Sequence, residues 1–147
     1  MKKIKIIGCG NYLAHDEGVG IHVVKRLKNE ILPGDVEVLE LRNPGQLLLE
    51  LVAGADKLII IDASSEENKG GTIHKYSNDD GEIKDILANT IHAYSFYPVF
   101  ELREKLPGEI VVIGIEIEEH HKFSVGLSHN VFSALDEAVK VVLDELY

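Results

Sequence analysis

Three polar features sit where a folded chain could use them for chemistry. The first is an acid pair, Asp16-Glu17, which follows the glycine turn Gly8-Cys9-Gly10-Asn11 and precedes a helical pattern. The second is Asp62, which ends the apolar run Lys57-Leu58-Ile59-Ile60-Ile61 and is followed by the small residues Ala63 and Ser64. The third is His92, in a loop among Thr90, Ala93 and Ser95. Carboxylate plus imidazole suits a divalent first-row metal, nickel and zinc included. One acid after the first strand, another after a central strand and one loop histidine would form a three-ligand site with open positions. Each residue also has a plainer explanation. Acids at a helix start complement its dipole by about 0.3–1 kcal/mol, and an acid at a strand end often caps the next turn. The other histidines (His15, His22, His74, His120, His121 and His129) read as solvated or satisfied by ordinary hydrogen bonds.

Two rival chemistries start from the same turn. Gly8-x-Gly10 invites a dinucleotide reading, but the third glycine of that fingerprint would fall on Leu13, and the helix starts too late. Cys9 could be a nucleophile with His15 or another histidine as its base. Its place at a strand-to-turn junction fits a buried small hydrophobe better. No G-x-S-x-G, H-E-x-x-H, P-loop or C-x-x-C motif occurs, which removes the common serine hydrolase, zincin, nucleotide-hydrolase and thioredoxin-like readings.

The elements that must position these residues alternate. Ile4, Ile6 and Ile7 mark a first strand. Val19, Val23, Val24, Leu27 and Ile31 then form one stripe of a helix over roughly residues 18–30, closed by Pro33-Gly34. A strand through Val36, Val38 and Leu41 follows, then a turn at Asn43-Pro44-Gly45 and a leucine-rich helix from Gln46 to Val52. Lys57 to Asp62 has the pattern of a strand buried on both faces, and Thr72 to Tyr76 that of a short one. Asn78 to Asp85 reads as a solvated loop. Phe96, Val99, Phe100, Leu102 and Leu106 suggest a helix stopped by Pro107-Gly108, and Glu109 to Ile117 is another strong strand. After a loop from His120 to Gly126, a last helix begins with Ser128 as its cap and Val131, Leu135, Ala138, Val139, Val142 and Leu146 on one face. The alternation predicts a three-layer α/β sandwich, its mostly parallel twisted sheet flanked by helices. Ligands of such sheets sit at the carboxyl ends of the strands.

The totals narrow the partners. A chain of 147 residues fits one domain, 1–147. A formal net charge of −10 argues against a nucleic-acid backbone or an anionic membrane as partner. One cysteine cannot form an internal disulfide, which fits a cytoplasmic protein. No segment approaches the ~20 apolar residues of a membrane span, and nothing points to self-association, so a monomer is expected.

With these residues in order, the chain resembles the hydrogenase maturation endopeptidases. The resemblance rests on Gly8-Cys9-Gly10-Asn11-Tyr12-Leu13 with Asp16-Glu17-Gly18-Val19-Gly20, then Leu58-Ile59-Ile60-Ile61-Asp62-Ala63, Gly71-Thr72, Thr90-Ile91-His92, Gly114-Ile115-Glu116 and Gly126-Leu127-Ser128. It covers almost the whole chain. It implies an endopeptidase that removes the C-terminal tail of a nickel–iron hydrogenase large-subunit precursor after nickel insertion. It further implies that Glu17, Asp62 and His92 are the metal-binding and catalytic residues, and that the nickel is borne by the substrate. Asp16, Glu17 and Asp62 all remain candidates for the base. Glu40 to Gly45 and Glu116-Ile117-Glu118 depart from the family pattern, a difference that bears on substrate choice. Two alternatives are a non-catalytic metal- or precursor-binding module of the same fold, and a hydrolase using Cys9.

Overall fold

The computed structural model describes residues 2–42, 46–66, 68–100 and 105–147. Its sheet has five strands: β1 (Lys3–Cys9), β2 (Asp35–Leu41), β3 (Lys57–Ser64), β4 (Ile73–Ser77) and β5 (Glu109–Glu116). They lie in the order β2-β1-β3-β5-β4. All neighbours are parallel except the edge strand β4, which runs antiparallel to β5. Every residue of β3 is buried, as the unbroken apolar run requires of a strand covered on both faces.

Among the described residues, six α-helices complete the sandwich: α1 (Val19–Leu27), α2 (Gln46–Val52), α3 (Ile83–Leu87), α4 (Ala93–Phe100), α5 (His129–Ser133) and α6 (Leu135–Asp144). Alternation along the strands divides the core in two. Ile59, Ile61, Val111, Ile113 and Ile115 face the stripes of α1, α5 and α6. Leu58, Ile60, Ile110 and Val112 face Leu48 and Val52 of α2, Ile83 and Leu87 of α3 and Phe96 of α4. Among the described residues no helix is long and apolar enough to cross a membrane.

Several local expectations change. The first helix ends at Leu27, because the N–H groups of Asn29 and Glu30 bond three residues back, to Arg26 and Leu27. That tightening takes Ile31 off the stripe, and it is 96% exposed. The acid pair lies in a separate 3-10 turn, His15–Gly18, and the first turn of α1 carries no acid. The loop expected over Asn78 to Asp85 gives way at Ile83 to α3, whose buried Ile83 and Leu87 are a single i, i+4 pair and too short a periodicity to read. The last helix is two, α5 and α6, broken at Ala134. The turn at Asn43-Pro44-Gly45 and the stripe position Leu102 lie outside the described residues, and nothing is described of the Val99 and Phe100 side chains.

Ser128 is not a helix cap in the expected sense: its side chain makes no capping hydrogen bond. Its hydroxyl donates instead to Asp16 Oδ2 at 2.6 Å, and its backbone N–H donates to Asp16 Oδ1 at 2.8 Å. The N–H groups of Glu118 and Glu119 donate to Oδ2 at 3.1 and 3.0 Å. Asp16 is fully buried, so four donors replace its water. Burial alone would raise its carboxyl, but these bonds outweigh it and hold the group below its ordinary range. His15, with its left-handed φ of 52°, reinforces the clasp: Nδ1 lies 2.9 Å from Ser124 Oγ. Together they fasten the loop after β5 to the turn after β1.

The opposite constraint is steric. A Cβ on Gly20, in the first turn of α1, would collide with the Ile61 carbonyl oxygen and lie 2.8 Å from that of Cys9. The absent side chain lets α1 rest on the ends of β1 and β3.

Gly20→Ala should therefore overpack a rigid backbone contact and cost roughly 1–3 kcal/mol, measured as a lower urea midpoint. Asp16→Asn, which turns an NH2 group toward donors, should cost about 2–3 kcal/mol at neutral pH. Because the folded carboxyl is depressed, that stabilisation is complete above the unfolded value near 3.9 and is lost as pH falls through the folded one. Unfolding curves of the two proteins should accordingly converge in acid.

Candidate active site

The order β2-β1-β3 places a topological switch between β1 and β3: the chain leaves β1 to one side for β2 and returns on the other with β3. Such a switch opens a crevice at the carboxyl ends of the two strands. Gly8 of β1 is in register with Ile61 of β3, so Cys9, Gly10 and Asp62 emerge there together. Gly10 has φ 123°, a conformation that favours glycine, and its N–H bonds the Leu41 carbonyl at 3.0 Å to turn the chain. Across the sheet on the other side, Asp62 is paired with Gly114, which carries no side chain.

His92 is brought to the same edge by backbone pairing. The Ile91 N–H bonds the Ala63 carbonyl at 2.9 Å, and Thr90 bridges to Ser64. Thr90 closes the preceding turn through Oγ1 to the Leu87 carbonyl at 2.8 Å. Along this short rail the His92 N–H reaches Asp62 Oδ2 at 3.0 Å, and its Nδ1 lies 2.7 Å from Oδ1. Oδ1 also accepts the Ala63 N–H at 2.8 Å. A carboxylate in this accepting role places the proton on Nδ1 and leaves a lone pair on Nε2, the arrangement that orients a metal-binding histidine.

Burial is the larger influence on Asp62 and pushes its carboxyl up, against the lowering effect of His92. Burial pulls His92 down, but the Asp62 hydrogen bond and charge, helped by the charge of Glu17, carry its imidazole above the ordinary value. Glu17 therefore faces the ring electrostatically. Its own Oε2 accepts the His121 N–H at 2.8 Å, from a residue with φ 55° in the clasped loop. Gly10 lies between the two: a Cβ there would stand 2.7 Å from the Glu17 carbonyl oxygen and 3.5 Å from His92 Cε1.

The structure thus joins Asp62 and His92 directly and sets Glu17 across from them more loosely. Among the described residues, the group of three whose candidate ligand atoms all lie within 4.8 Å of one another is a different one, Glu66, His74 and Glu116. Its members come from three separate segments with no common spacing, so no sequence pattern marks them as a ligand set, although Glu116 closes the Gly114-Ile115-Glu116 motif. Asp16, the other member of the acid pair, is engaged by four donors and serves as the clasp described above. Cys9 is fully buried, and burial followed by the Asp62 charge pushes its thiol well above its ordinary value. A thiol so held is not a nucleophile. His15, once a possible partner for it, bonds Ser124.

Comparison with known proteins follows this geometry. A family described as hydrogenase maturation protease matches residues 21–145. The hydrogenase 2 maturation protease of Escherichia coli is 30% identical over 151 residues, covering 98% of this chain and 90% of that protein. The hydrogenase maturating endopeptidase HybD from E. coli superposes with a TM-score of 0.85 at 28% identity, over 98% of this chain and 91% of that one. The [NiFe] hydrogenase maturation protease HybD from Thermococcus kodakarensis does so at 0.82 and 26% identity, over 99% of each chain. By the family match and by its likeness to these proteases in sequence and fold, the chain belongs to the hydrogenase maturation protease family.

Proposed function

We propose that this protein hydrolyses one peptide bond near the C-terminus of a nickel–iron hydrogenase large-subunit precursor, and that it does so after nickel has entered the precursor. The observation that carries this reading is the Asp62–His92 pair at the switch-point crevice, with Glu17 opposite. The nickel belongs to the substrate. Glu17, Asp62 and His92 are its proposed ligand set: His92 through Nε2, Glu17 through its partly exposed carboxylate, and Asp62 through the acceptor capacity left on Oδ2, while it also steadies the ring. An open, loosely spaced set suits this task, because it adds ligands to a metal the precursor already holds without extracting it.

Hydrolysis adds water across the C–N bond and yields a new carboxylate and a new amine. Cys9 is sealed, so water is the nucleophile, and the substrate's metal can polarise the scissile carbonyl. Of the three acids near the crevice, Asp16 and Asp62 are fully buried with four and three donors, whereas Glu17 is partly exposed and accepts one N–H, which makes it the acid best placed to take a proton from the attacking water. A protein substrate also needs apolar footing. Leu13, Phe123 and Val125 are 49%, 83% and 60% exposed on the two segments joined by the Ala14–Ser124 bridge, beside the Glu17 turn.

Mass spectrometry of a nickel-loaded precursor tests the reading. The wild-type protein should release a C-terminal peptide, and a nickel-free precursor should stay intact. Glu17→Gln, Asp62→Asn and His92→Gln should each slow release by about 10²-fold or more while circular dichroism shows an intact fold; Cys9→Ala should process normally. Full processing by all three variants would overturn the site, and precursor that binds without being cut would point to a binding module.

A further inference from the structure

A second polar cluster lies at the same carboxyl edge of the sheet, displaced sideways onto β5 and β4: Asp62 is in register with Gly114, and Gly114 with His74. We propose that Glu66, His74 and Glu116 bind a divalent transition-metal ion of zinc's class, at a site distinct from Glu17, Asp62 and His92.

Strand pairing builds the cluster. His74 of β4 stands directly opposite Gly114 of β5, so no side chain faces it, and its ring reaches diagonally to Glu116. Glu66 comes from the segment after β3. Glu116 Oε1 accepts the Asn68 N–H at 3.1 Å and Glu66 Oε1 accepts from Asn89 Nδ2 at 2.9 Å. The Tyr76 hydroxyl also lies against the Glu66 carboxylate, which, after burial, helps hold the phenol's proton on. The second oxygen of each, Oε2, is buried and has no hydrogen-bond donor. Glu116 as a residue is only 2% exposed. Both orphaned oxygens point at His74 Nε2, that of Glu66 from 2.9 Å and that of Glu116 from 3.5 Å, and neither approach is a hydrogen bond.

A protonated imidazole does not resolve this arrangement. Nε2 carries one hydrogen and can serve one oxygen, leaving the other carboxylate unpaired and out of water. A cation between the three atoms serves all of them. Their mutual spacing, within 4.8 Å, fits ligands that each stand about 2.1 Å from one ion. Two carboxylate oxygens with one imidazole nitrogen are a donor set for zinc and its first-row neighbours. Asn68 Nδ2 lies 3.3 Å from His74 Nε2; turning that amide over presents its oxygen as a fourth ligand. The ion would tie the β3–β4 connection to the sheet.

The test uses the untagged full chain carrying His92→Gln, which removes the imidazole from the other candidate site. Equilibrium dialysis against zinc chloride should show one ion per chain, with a thermal midpoint raised by several degrees. Adding Glu116→Gln, or separately His74→Gln, should weaken binding at least tenfold and abolish the thermal shift. The His74 variant alters a side chain away from the buried strand centre, so it keeps the test decisive if the Glu116 variant folds poorly. Absence of zinc binding by the His92→Gln chain, or binding that survives both further substitutions, would overturn the proposal.

Discussion

A carboxylate withdrawn from water must recover its hydrogen bonds inside the protein, and that requirement organises the carboxyl edge of this sheet. Asp62 is fully buried at the end of β3, and its donors come from the Ala63 N–H and from two groups of His92. Leaving such a group unpaired costs about 1–3 kcal/mol or more. The segment from Thr90 to His92 is therefore bound to β3 by a side chain as well as by its own backbone bridge. The catalytic reading depends on the same contact, since it fixes which ring nitrogen is left for a metal.

Asp16 applies the rule a second time. Its four donors come from the loop after β5 and from the start of α5, more than a hundred residues away in sequence. The acid pair is thus divided between two duties by burial alone. Asp16 faces inward and holds the loop; its neighbour Glu17 turns outward and receives that loop's His121 N–H. The clasp places Glu17, His121 and the exposed Phe123 on one rim, so this exposed apolar surface and the candidate site are assembled by one buried charge.

Glu66 and Glu116 are the contrast. The same kind of group is buried there, yet one oxygen of each finds no donor. In a protein that elsewhere supplies three or four donors to a buried carboxylate, that shortfall is the reason to place a cation rather than a proton between them.

Much of the architecture was legible in the order of residues. Unbroken apolar runs such as Leu58 to Ile61 can be satisfied only by strands covered on both faces, and the stripe Val19, Val23, Val24 and Leu27 only by a helix on one of them. Turn chemistry at Gly10 and the acid at the end of β3 marked the edge where the candidate site lies, because local backbone preference and burial act within a few residues. What the chain order could not decide was contact between distant side chains. The partner of Asp62 is thirty residues away, and that of Asp16 lies across the whole domain. Ser128 has the residue type of a cap but spends its hydroxyl on Asp16, and Ile31 has the spacing of the stripe but leaves it as the helix tightens. The cluster of Glu66, His74 and Glu116 exists only because antiparallel pairing sets His74 against a glycine. Periodicity reports which face a residue occupies; only tertiary packing decides which donor meets which acceptor there, because that depends on distances no local rule contains.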